Sequence, residues 1–333
     1  MAAPLLEIGD LRVGFRTDDG LVQAVRGVDL AVAGGEVVAV VGESGSGKSV
    51  TALSVLGLHP HHRTEIGGTI SWQGEDLLAA SPERLRQVRG GEIAMVFQDP
   101  LTALNPVHTV GKQIIEAVRA HRDIGKAKAK ERAVEMLGLV GIPQPQRRVD
   151  MFPHEFSGGM RQRAMIAMAL SCEPRLVIAD EPTTALDVTV QAQVLELLVE
   201  STHKVGSAVL LITHDLGVVA GLADRVAVMY AGRVVESATT PELFAEPSHP
   251  YTIGLLDSLP RVDTDVDEEL RPIGGQPPSM LAPPSGCAFH PRCPYASAEH
   301  GCMHALPELD DRRHAAACWR RDELAGLRAA VTT

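Results

Sequence analysis

The segment GESGSGKS, from Gly42 to Ser49, has the glycine content and the lysine expected of a phosphate-binding loop. It follows the apolar run EVVAVV and precedes VTALSVLGL, an order that predicts a strand, a glycine-rich loop and a helix. Backbone N–H groups and the helix start then converge on an anion, as triphosphate binding requires. We predict that Lys48 contacts the β- and γ-phosphates and that Ser49 binds Mg²⁺. The predicted nucleotide contacts are Gly42, Glu43, Ser44, Gly45, Ser46, Gly47, Lys48, Ser49 and Val50.

Two adjacent carboxylates end a second apolar segment, LVIADEP, residues 176–182. Its first four residues suit a buried parallel strand. Asp180 is predicted to hold Mg²⁺, directly or through water, and Glu181 to polarise the attacking water as a general base. The alternative is an ordinary charge cluster at a strand end, which the phosphate loop upstream disfavours.

Four of the five cysteines lie near the end of the chain, separated by five, eight and fifteen residues. In a reducing compartment, grouped cysteines are more often metal ligands or redox groups than disulfides. Four thiolates suit either a [4Fe–4S] cluster or a structural Zn²⁺, and the first spacing is wider than zinc modules use, which favours iron–sulfur. The predicted ligands are Cys287, Cys293, Cys302 and Cys318, with His290, His300, His304 or His314 as a substitute if a cysteine is displaced.

Two other groups of metal-binding residue types are predicted to be structural. The histidines of HPHHR, residues 59–63, follow the phosphate-loop helix and are expected in a solvated loop. The fifth cysteine, Cys172, is expected to be a small buried hydrophobic residue.

A third motif, EFSGGMRQRAMIAMAL, begins at Glu155. Ser157 is a predicted helix N-cap, and the two glycines after it allow a ligand to approach the helix start closely. Here the sequence resembles the ATP-binding subunit of an ABC transporter, in which SGGM stands at the signature sequence. Phe156 and Met160 depart from the LSGGQ of that family.

The resemblance implies roles for four further residues. Gln98 in VFQDP matches the Q-loop glutamine, which contacts nucleotide and Mg²⁺, and Asp187 in ALD matches the D-loop. His214 in ITHD matches the switch histidine, and Phe15 falls where the family stacks an aromatic ring on adenine. The implied cofactors are ATP and Mg²⁺, and the implied catalytic residues are Lys48, Gln98, Glu181 and His214.

The resemblance also implies a second ATPase chain, in a heterodimer. Family members pack two such subunits head to tail, and this chain has one copy of each motif without an internal repeat. Ser157, Gly158 and Gly159 would contact nucleotide held by the partner. A helical insert, with Gln98 as its hinge, would dock on a coupling helix of the transmembrane subunit. The complex would contain two transmembrane permease subunits.

The C-terminal part resembles the oligopeptide and dipeptide importers within this family. The resemblance rests on SHPYTIGLLDSLP, from Ser248 to Pro260, and on PPSGCAFHPRCPYA, which looks like their C-terminal cysteine motif and supports the iron–sulfur interpretation. An extracytoplasmic peptide-binding protein is then an indirect partner. The acidic run DTDVDEE between the two segments is predicted to be a solvated linker.

The elements that position these residues follow from hydrophobic patterning. Apolar and polar residues alternate along residues 5–32 and along the segment GGTISWQGEDL, a pattern that predicts antiparallel strands. Residues 37–58, 93–97 and 176–213 supply the strands and helices of a parallel core, and KAKAKERAVEMLGLV has helical spacing. The predicted fold is α/β: an ABC-type nucleotide-binding domain over 1–260, with an antiparallel β subdomain and a helical subdomain at about 99–170, followed by a cysteine-rich extension over 261–333.

Composition and the absence of targeting segments indicate a globular cytoplasmic protein. The chain is 45% hydrophobic and 22% charged, and its net charge of −11 argues against broad nucleic-acid binding. The opening MAAPLLEIGD lacks the basic and apolar regions of a secretory signal, and no apolar run reaches the roughly 18 residues of a membrane span. We therefore expect peripheral attachment to the cytoplasmic face of the inner membrane, through partners.

Three alternative functions stay open on the sequence. One is a soluble ABC ATPase acting on nucleic acid or ribosomes, although such proteins often carry two nucleotide-binding units, coiled-coil inserts or basic surfaces. Another is an importer ATPase for nickel or another small solute. The third is a catalytically idle regulatory partner.

Overall fold

The computed structural model describes residues 4–60, 62–183, 188–259 and 272–331. Within those ranges the strands form a four-stranded and a seven-stranded sheet. The strands are β1 (Leu6–Thr17), β2 (Gly20–Val32), β3 (Val37–Val41), β4 (Thr64–Trp72), β5 (Glu75–Asp76), β6 (Ile93–Val96), β7 (Leu176–Asp180), β8 (Ala208–Thr213), β9 (Arg225–Tyr230), β10 (Arg233–Thr239) and β11 (Ala315–Ala316). The helices are α1 (Lys48–Val55), α2 (Pro82–Gly91), α3 (Pro100–Ala103), α4 (Val110–His121), α5 (Lys126–Leu139), α6 (Pro145–Arg148), α7 (Gly158–Leu170), α8 (Val188–Val205), α9 (Leu216–Val219), α10 (Thr240–Ala245), α11 (Pro250–Asp257) and α12 (Leu324–Val331).

The four-stranded sheet is antiparallel, in the order β2-β1-β4-β5, and confirms the strands predicted from alternation. Along β1, Leu6, Ile8, Leu11 and Val13 are buried. The register shifts between Ile8 and Leu11, and such a bulge allows both side chains to stay on the buried face although they are three residues apart.

The seven-stranded sheet has the order β11-β10-β9-β3-β8-β7-β6. The strands from β9 to β6 are parallel, and β10 and β11 are added antiparallel at one end. All residues of β3 are buried, as expected of a strand covered on both faces. Because parallel strands end at one edge of a sheet, the residues that follow β3, β6, β7 and β8 meet there. These are the phosphate loop, Gln98, Glu181 and His214.

A helical region, α3 to α7, connects β6 to β7 and confirms the helices predicted between Gln98 and Ser157. Ile114, Ala133 and Met165 belong to a buried apolar core that these helices share with β6 and β8. Within the described ranges, no helix combines the length and the apolar character needed to cross a lipid bilayer.

The C-terminal residues extend the seven-stranded sheet beyond β10 and pack at that end of it. Ala315 and Ala316 pair with Ser237 and Glu236 of β10. Phe289 is buried beside side chains of β9 and α11. The predicted domain boundary after residue 260 and the acidic run lie outside the described residues.

Candidate functional site

The phosphate loop, residues 42–49, runs from the end of β3 to the start of α1. Two of its positions leave no room for a side chain. A Cβ atom on Gly42 would lie 2.1 Å from the carbonyl oxygen of Met229, and one on Gly47 would lie 2.5 Å from that of Ala24. Gly47 also has a φ of 103°, in the left-handed region that favours glycine. Close packing of the loop on β9 and β2 thus explains these glycines.

The ammonium group of Lys48 lies inside the phosphate loop. Its Nζ donates to the carbonyl oxygens of Gly42, at 2.8 Å, and Glu43, at 3.0 Å, and lies 3.9 Å from Oε1 of Glu181. Burial lowers the pKa of Lys48, and the carboxylates of Glu181, Asp180 and Glu43 oppose that shift. The loop therefore surrounds a buried cation with oxygen atoms.

Ser49 and Asp180 form a polar pair beside the loop. The Ser49 hydroxyl donates to Oδ1 of Asp180 at 2.8 Å, which joins the first turn of α1 to the end of β7. Burial raises the pKa of the Asp180 carboxyl, and the hydrogen bond from Ser49 opposes that shift. Carboxylate and hydroxyl oxygens suit Mg²⁺, so the structure brings together two of the three predicted ligands.

The carboxylate of Glu181 is the point where the predicted catalytic residues meet. Its Oε2 accepts a hydrogen bond from Nε2 of Gln98 at 3.3 Å and lies 3.5 Å from Nδ1 of His214, while Oε1 faces Lys48. Glu181 has a φ of 43°, which is rare for a residue with a side chain, and its N–H donates to the Ile212 carbonyl oxygen of β8. Strained backbone of this kind occurs often at functional sites.

The remaining predicted nucleotide contacts lie on other elements. Ser157 caps α7, and both Ser157 and the following Gly158 are exposed. Phe15 is half-buried on β1, with its ring packed edge-on against His59 at 5.4 Å between centroids. In the part of the chain that the structure describes, the polar cluster around Glu181 includes neither Ser157 nor Phe15. Asp187 lies outside the described residues.

The four C-terminal cysteines line one cavity beside α11. Burial raises the pKa of Cys293 to about 12 and that of Cys318 to about 11, and the other cysteines act in the same direction. No three His, Cys, Asp or Glu side chains of the described residues lie close enough together to share a single metal ion. The cavity is lined by Cys287, Cys293, Cys302 and Cys318 together with His249, Pro250, Phe289, His290, Tyr295, Ala296, Trp319 and Arg320.

Tyr251 and Arg292 contact the phosphate loop, and neither contact was predicted from the sequence. The hydroxyl of Tyr251 accepts a hydrogen bond from the Glu43 N–H at 2.8 Å. Arg292 forms a bidentate ion pair with the Glu43 carboxylate. The only available signal was their place in SHPYTIGLLDSLP and CAFHPRC, the segments that resemble peptide importers.

His59 is a buried residue, so the prediction of a solvated loop was wrong at this position. It is 8% exposed, and its Nε2 lies 3.0 Å from both the Ser54 hydroxyl and the Val50 carbonyl oxygen. Burial lowers the pKa of His59. Its ring lies between α1 and Phe15, whereas His62 is exposed as predicted.

Two family models match the chain. The model described as ABC transporter matches residues 25–184, which include the phosphate loop, the signature motif and Glu181. The model described as oligopeptide/dipeptide transporter, C-terminal region, matches residues 235–302, which include three of the four C-terminal cysteines.

Similar proteins cover nearly the whole chain. A probable peptide ABC transporter ATP-binding protein of Sinorhizobium fredii is 52% identical over 326 residues, 97% of both chains. The oligopeptide transport ATP-binding protein OppD of Bacillus subtilis is 55% identical over 293 residues, 88% of this chain and 82% of that one. A dimeric structure of a bacterial ABC transporter cassette has a TM-score of 0.62 at 25% identity, over 71% of this chain and 98% of that one. The chain therefore belongs to the ATP-binding proteins of the ABC transporter family.

Proposed function

We propose that this chain hydrolyses ATP to energise the import of peptides by a multi-subunit ABC transporter. The observation that carries the proposal is the meeting of Lys48, Gln98 and His214 at the Glu181 carboxylate, beside the phosphate loop. The two relatives are a probable peptide and an oligopeptide transport protein, which supports peptides as the cargo, as does the C-terminal match.

Nucleotide binds at the phosphate loop through backbone N–H groups and the start of α1. Lys48 exchanges its carbonyl partners for oxygens of the β- and γ-phosphates. Ser49, Asp180 and Gln98 would hold Mg²⁺, which would neutralise negative charge on the phosphates. Phe15 packs against the adenine ring, because an aromatic face on β1 suits a planar base.

Hydrolysis uses Glu181 as the general base. The carboxylate takes a proton from the water that attacks the γ-phosphate, and Lys48 stabilises the negative charge of the transition state. Gln98 and His214 contact the same carboxylate oxygen and so fix its direction. His214 is the more exposed of the two partners in the His214–Glu181 pair, which leaves its ring accessible to the nucleotide.

A second ATPase subunit completes the site. The start of α7 leaves Ser157, Gly158 and Gly159 available to nucleotide held by that partner. The D-loop assignment of Asp187 stays a prediction, because that residue lies outside the described residues. The similar bacterial cassette is dimeric. Phe156 is 2% exposed within the helical core, so this departure from LSGGQ is accommodated inside the subunit, away from the nucleotide.

The helical region contacts a permease subunit, one of two in the complex, and Gln98 links that contact to ATP. Leu101 and Val107, at the start of this region, are 61% and 71% exposed, and apolar side chains so exposed suit burial against a partner. The chain is thus peripheral at the cytoplasmic face of the cell membrane. A peptide-binding protein on the other side acts through the permease.

Peptide import is tested in proteoliposomes that contain this chain, its partner ATPase and their permease subunits. We expect ATP hydrolysis to rise when the peptide-binding protein is added with peptide, and not with nickel. The control is the same preparation with Glu181→Gln in this chain. Stimulation by nickel alone would contradict peptide import, and retention of the chain on ribosomes or DNA without binding to membrane subunits would contradict transport.

The C-terminal cysteines would hold a [4Fe–4S] cluster, with Zn²⁺ as the alternative. The fit rests on four thiols that line one cavity with Phe289 and Trp319. In a cluster each thiolate binds a different iron, so the four sulfurs need not converge on one point, as they must around one Zn²⁺. The metal centre would act as a structural clamp on the C-terminal extension.

Replacing Cys293 with serine should remove the metal from the protein. After anaerobic purification we expect about four irons and four sulfides per chain in the parent protein, with a visible absorption band that the variant lacks. The control is Cys172→Ser, which changes a buried thiol outside the cavity and should retain the metal. One zinc per chain would identify a zinc module, and the absence of metal from the parent protein would contradict both assignments.

A further inference from the structure

Arg292 joins the cysteine module, which we define as residues 287–318, to the phosphate loop. Its side chain is 4% exposed, and its two terminal nitrogens lie 2.6 and 2.9 Å from the carboxylate oxygens of Glu43. The planar guanidinium matches both oxygens at once, a geometry that lysine cannot reproduce. The pair therefore fixes the direction of the Glu43 side chain as well as its charge.

The other contacts of Arg292 hold it against β9 and against the C-terminal part of the chain. Its Nε donates to the Gly274 carbonyl oxygen at 2.8 Å, and Nη1 lies 3.4 Å from the Tyr230 hydroxyl. The guanidinium carbon also lies 5.8 Å from the centre of the Tyr230 ring and 5.9 Å from that of Phe289. Arg292 is thus held in place independently of Glu43.

Glu43 is also held through its backbone. Its N–H donates to the hydroxyl of Tyr251, whose ring is buried against Tyr230 and Phe289 at 4.6 and 5.4 Å between centroids. Phe289 belongs to the cysteine module and Tyr251 to α11. The C-terminal part of the chain therefore fixes both the side chain and the backbone of one phosphate-loop residue.

The position of Glu43 affects Lys48 directly. The Glu43 carbonyl oxygen accepts hydrogen bonds from Nζ of Lys48 at 3.0 Å and from the Ser46 N–H at 3.2 Å. A loop that is already ordered before the ligand arrives loses less conformational entropy on binding, and so binds more tightly. Contacts that order Glu43 should therefore raise the affinity for nucleotide.

We propose that Arg292 is a positioning residue for nucleotide binding, which holds the phosphate loop through Glu43 in the conformation that receives the triphosphate. The cysteine module then acts on ATP affinity from outside the catalytic cluster. This inference rests on the proposed assignment of residues 42–49 as the phosphate loop.

The test measures the Kd of a fluorescent ATP analogue and the steady-state kinetics of ATP hydrolysis with the full-length chain. Arg292→Met keeps most of the length of the side chain and removes the guanidinium group. Glu43→Gln keeps the backbone contacts of residue 43 and removes the negative charge of its side chain. We expect Kd and KM to rise about tenfold in each variant, with kcat within about twofold because Glu181 is unchanged. The double variant should bind no more weakly than either single one, because all three lose the same interaction.

Arg312→Met is the matched control in the same module. Arg312 is 55% exposed and pairs with Asp322, so this change should leave nucleotide affinity unaltered. Arg292→Lys retains the charge without the bidentate geometry, and we expect it to recover only part of the affinity.

Several outcomes would overturn the inference. An unchanged Kd in the Arg292→Met variant would do so. A raised Kd in Arg292→Met together with an unchanged Kd in Glu43→Gln would also do so. If Arg292→Met fails to fold in thermal unfolding experiments, Glu43→Gln alone decides, since it leaves the module unaltered. Failure of the parent chain to bind ATP would instead contradict the proposed function and the inference with it.

Discussion

Lys48→Ala should abolish ATP turnover at the site built on this chain's phosphate loop, lowering kcat/KM by about 10³-fold or more. The buried ammonium is the positive charge that the loop carbonyls and Glu181 surround. Without it, the charge that develops on the transferred phosphoryl group has no cation from the loop. Single-turnover hydrolysis in a complex whose second ATP site is inactivated would measure the effect.

Controls must separate loss of chemistry from loss of folding in the Lys48 experiment. Burial lowers the pKa of Lys48, so the fold disfavours its charged form, and the gain from removing the charge offsets the loss of its hydrogen bonds to the carbonyl oxygens of Gly42 and Glu43. Lys48→Met, which keeps most of the side-chain volume, should therefore unfold within a few degrees of the parent protein. Lys204→Ala changes an exposed lysine on α8 and should retain full activity. Unchanged turnover in Lys48→Ala would refute the assignment of the phosphate loop.

Glu181→Gln should retain ATP binding but reduce hydrolysis by about 10²- to 10⁴-fold, the usual contribution of a general base. The amide is close to the carboxylate in shape, so it can still accept from Gln98, but it cannot take up the proton of the attacking water. Removing a negative charge near the γ-phosphate should also strengthen ATP binding. We therefore expect ATP-bound complexes to accumulate, as measured by nucleotide retention after gel filtration.

The matched control for Glu181→Gln is Glu200→Gln, which alters an exposed carboxylate paired with Lys204 and should leave the rate unchanged. A normal ATPase rate in the complex that contains Glu181→Gln would identify this chain as a catalytically idle partner. An equal loss of binding and hydrolysis would mean that Glu181 supports the fold of the site instead of the proton transfer.

In the polar cluster around Glu181, the residues of the phosphate loop and of LVIADEP could be predicted because each lies in a local motif at the end of a parallel strand. The proximity of Ser49, Asp180 and Glu181 follows from the rule that parallel strands end at the same edge of the sheet. Gln98 and His214 were predicted only through the resemblance to the ABC transporter family. The signature segment was recognised through the same resemblance, although the helix start at Ser157 could be predicted from its own sequence.

The contacts around the phosphate loop could not be predicted in this way. Arg292 and Glu43 are 249 positions apart, and no periodic pattern relates them. The burial of His59 could not be predicted from the neighbouring sequence either, because it depends on Phe15, a residue of β1. The four cysteines could be grouped by composition, but the surface that their module would cover depends on aromatic packing among Tyr230, Tyr251 and Phe289.

The pairing of β11 with β10 has a consequence for the order of events during synthesis. Until Ala315 and Ala316 leave the ribosome, β10 has unpaired backbone groups along one edge, a surface that can template strand pairing between nascent chains. Glu236 lies in that edge strand, and a carboxylate there opposes such pairing. In the finished protein it is 0% exposed, because the backbone N–H groups of Ser248 and His249 and the ring of His314 enclose it. The Glu236 carboxylate thus opposes strand pairing between chains while the sheet is incomplete, and in the finished protein it binds the residues beside β11.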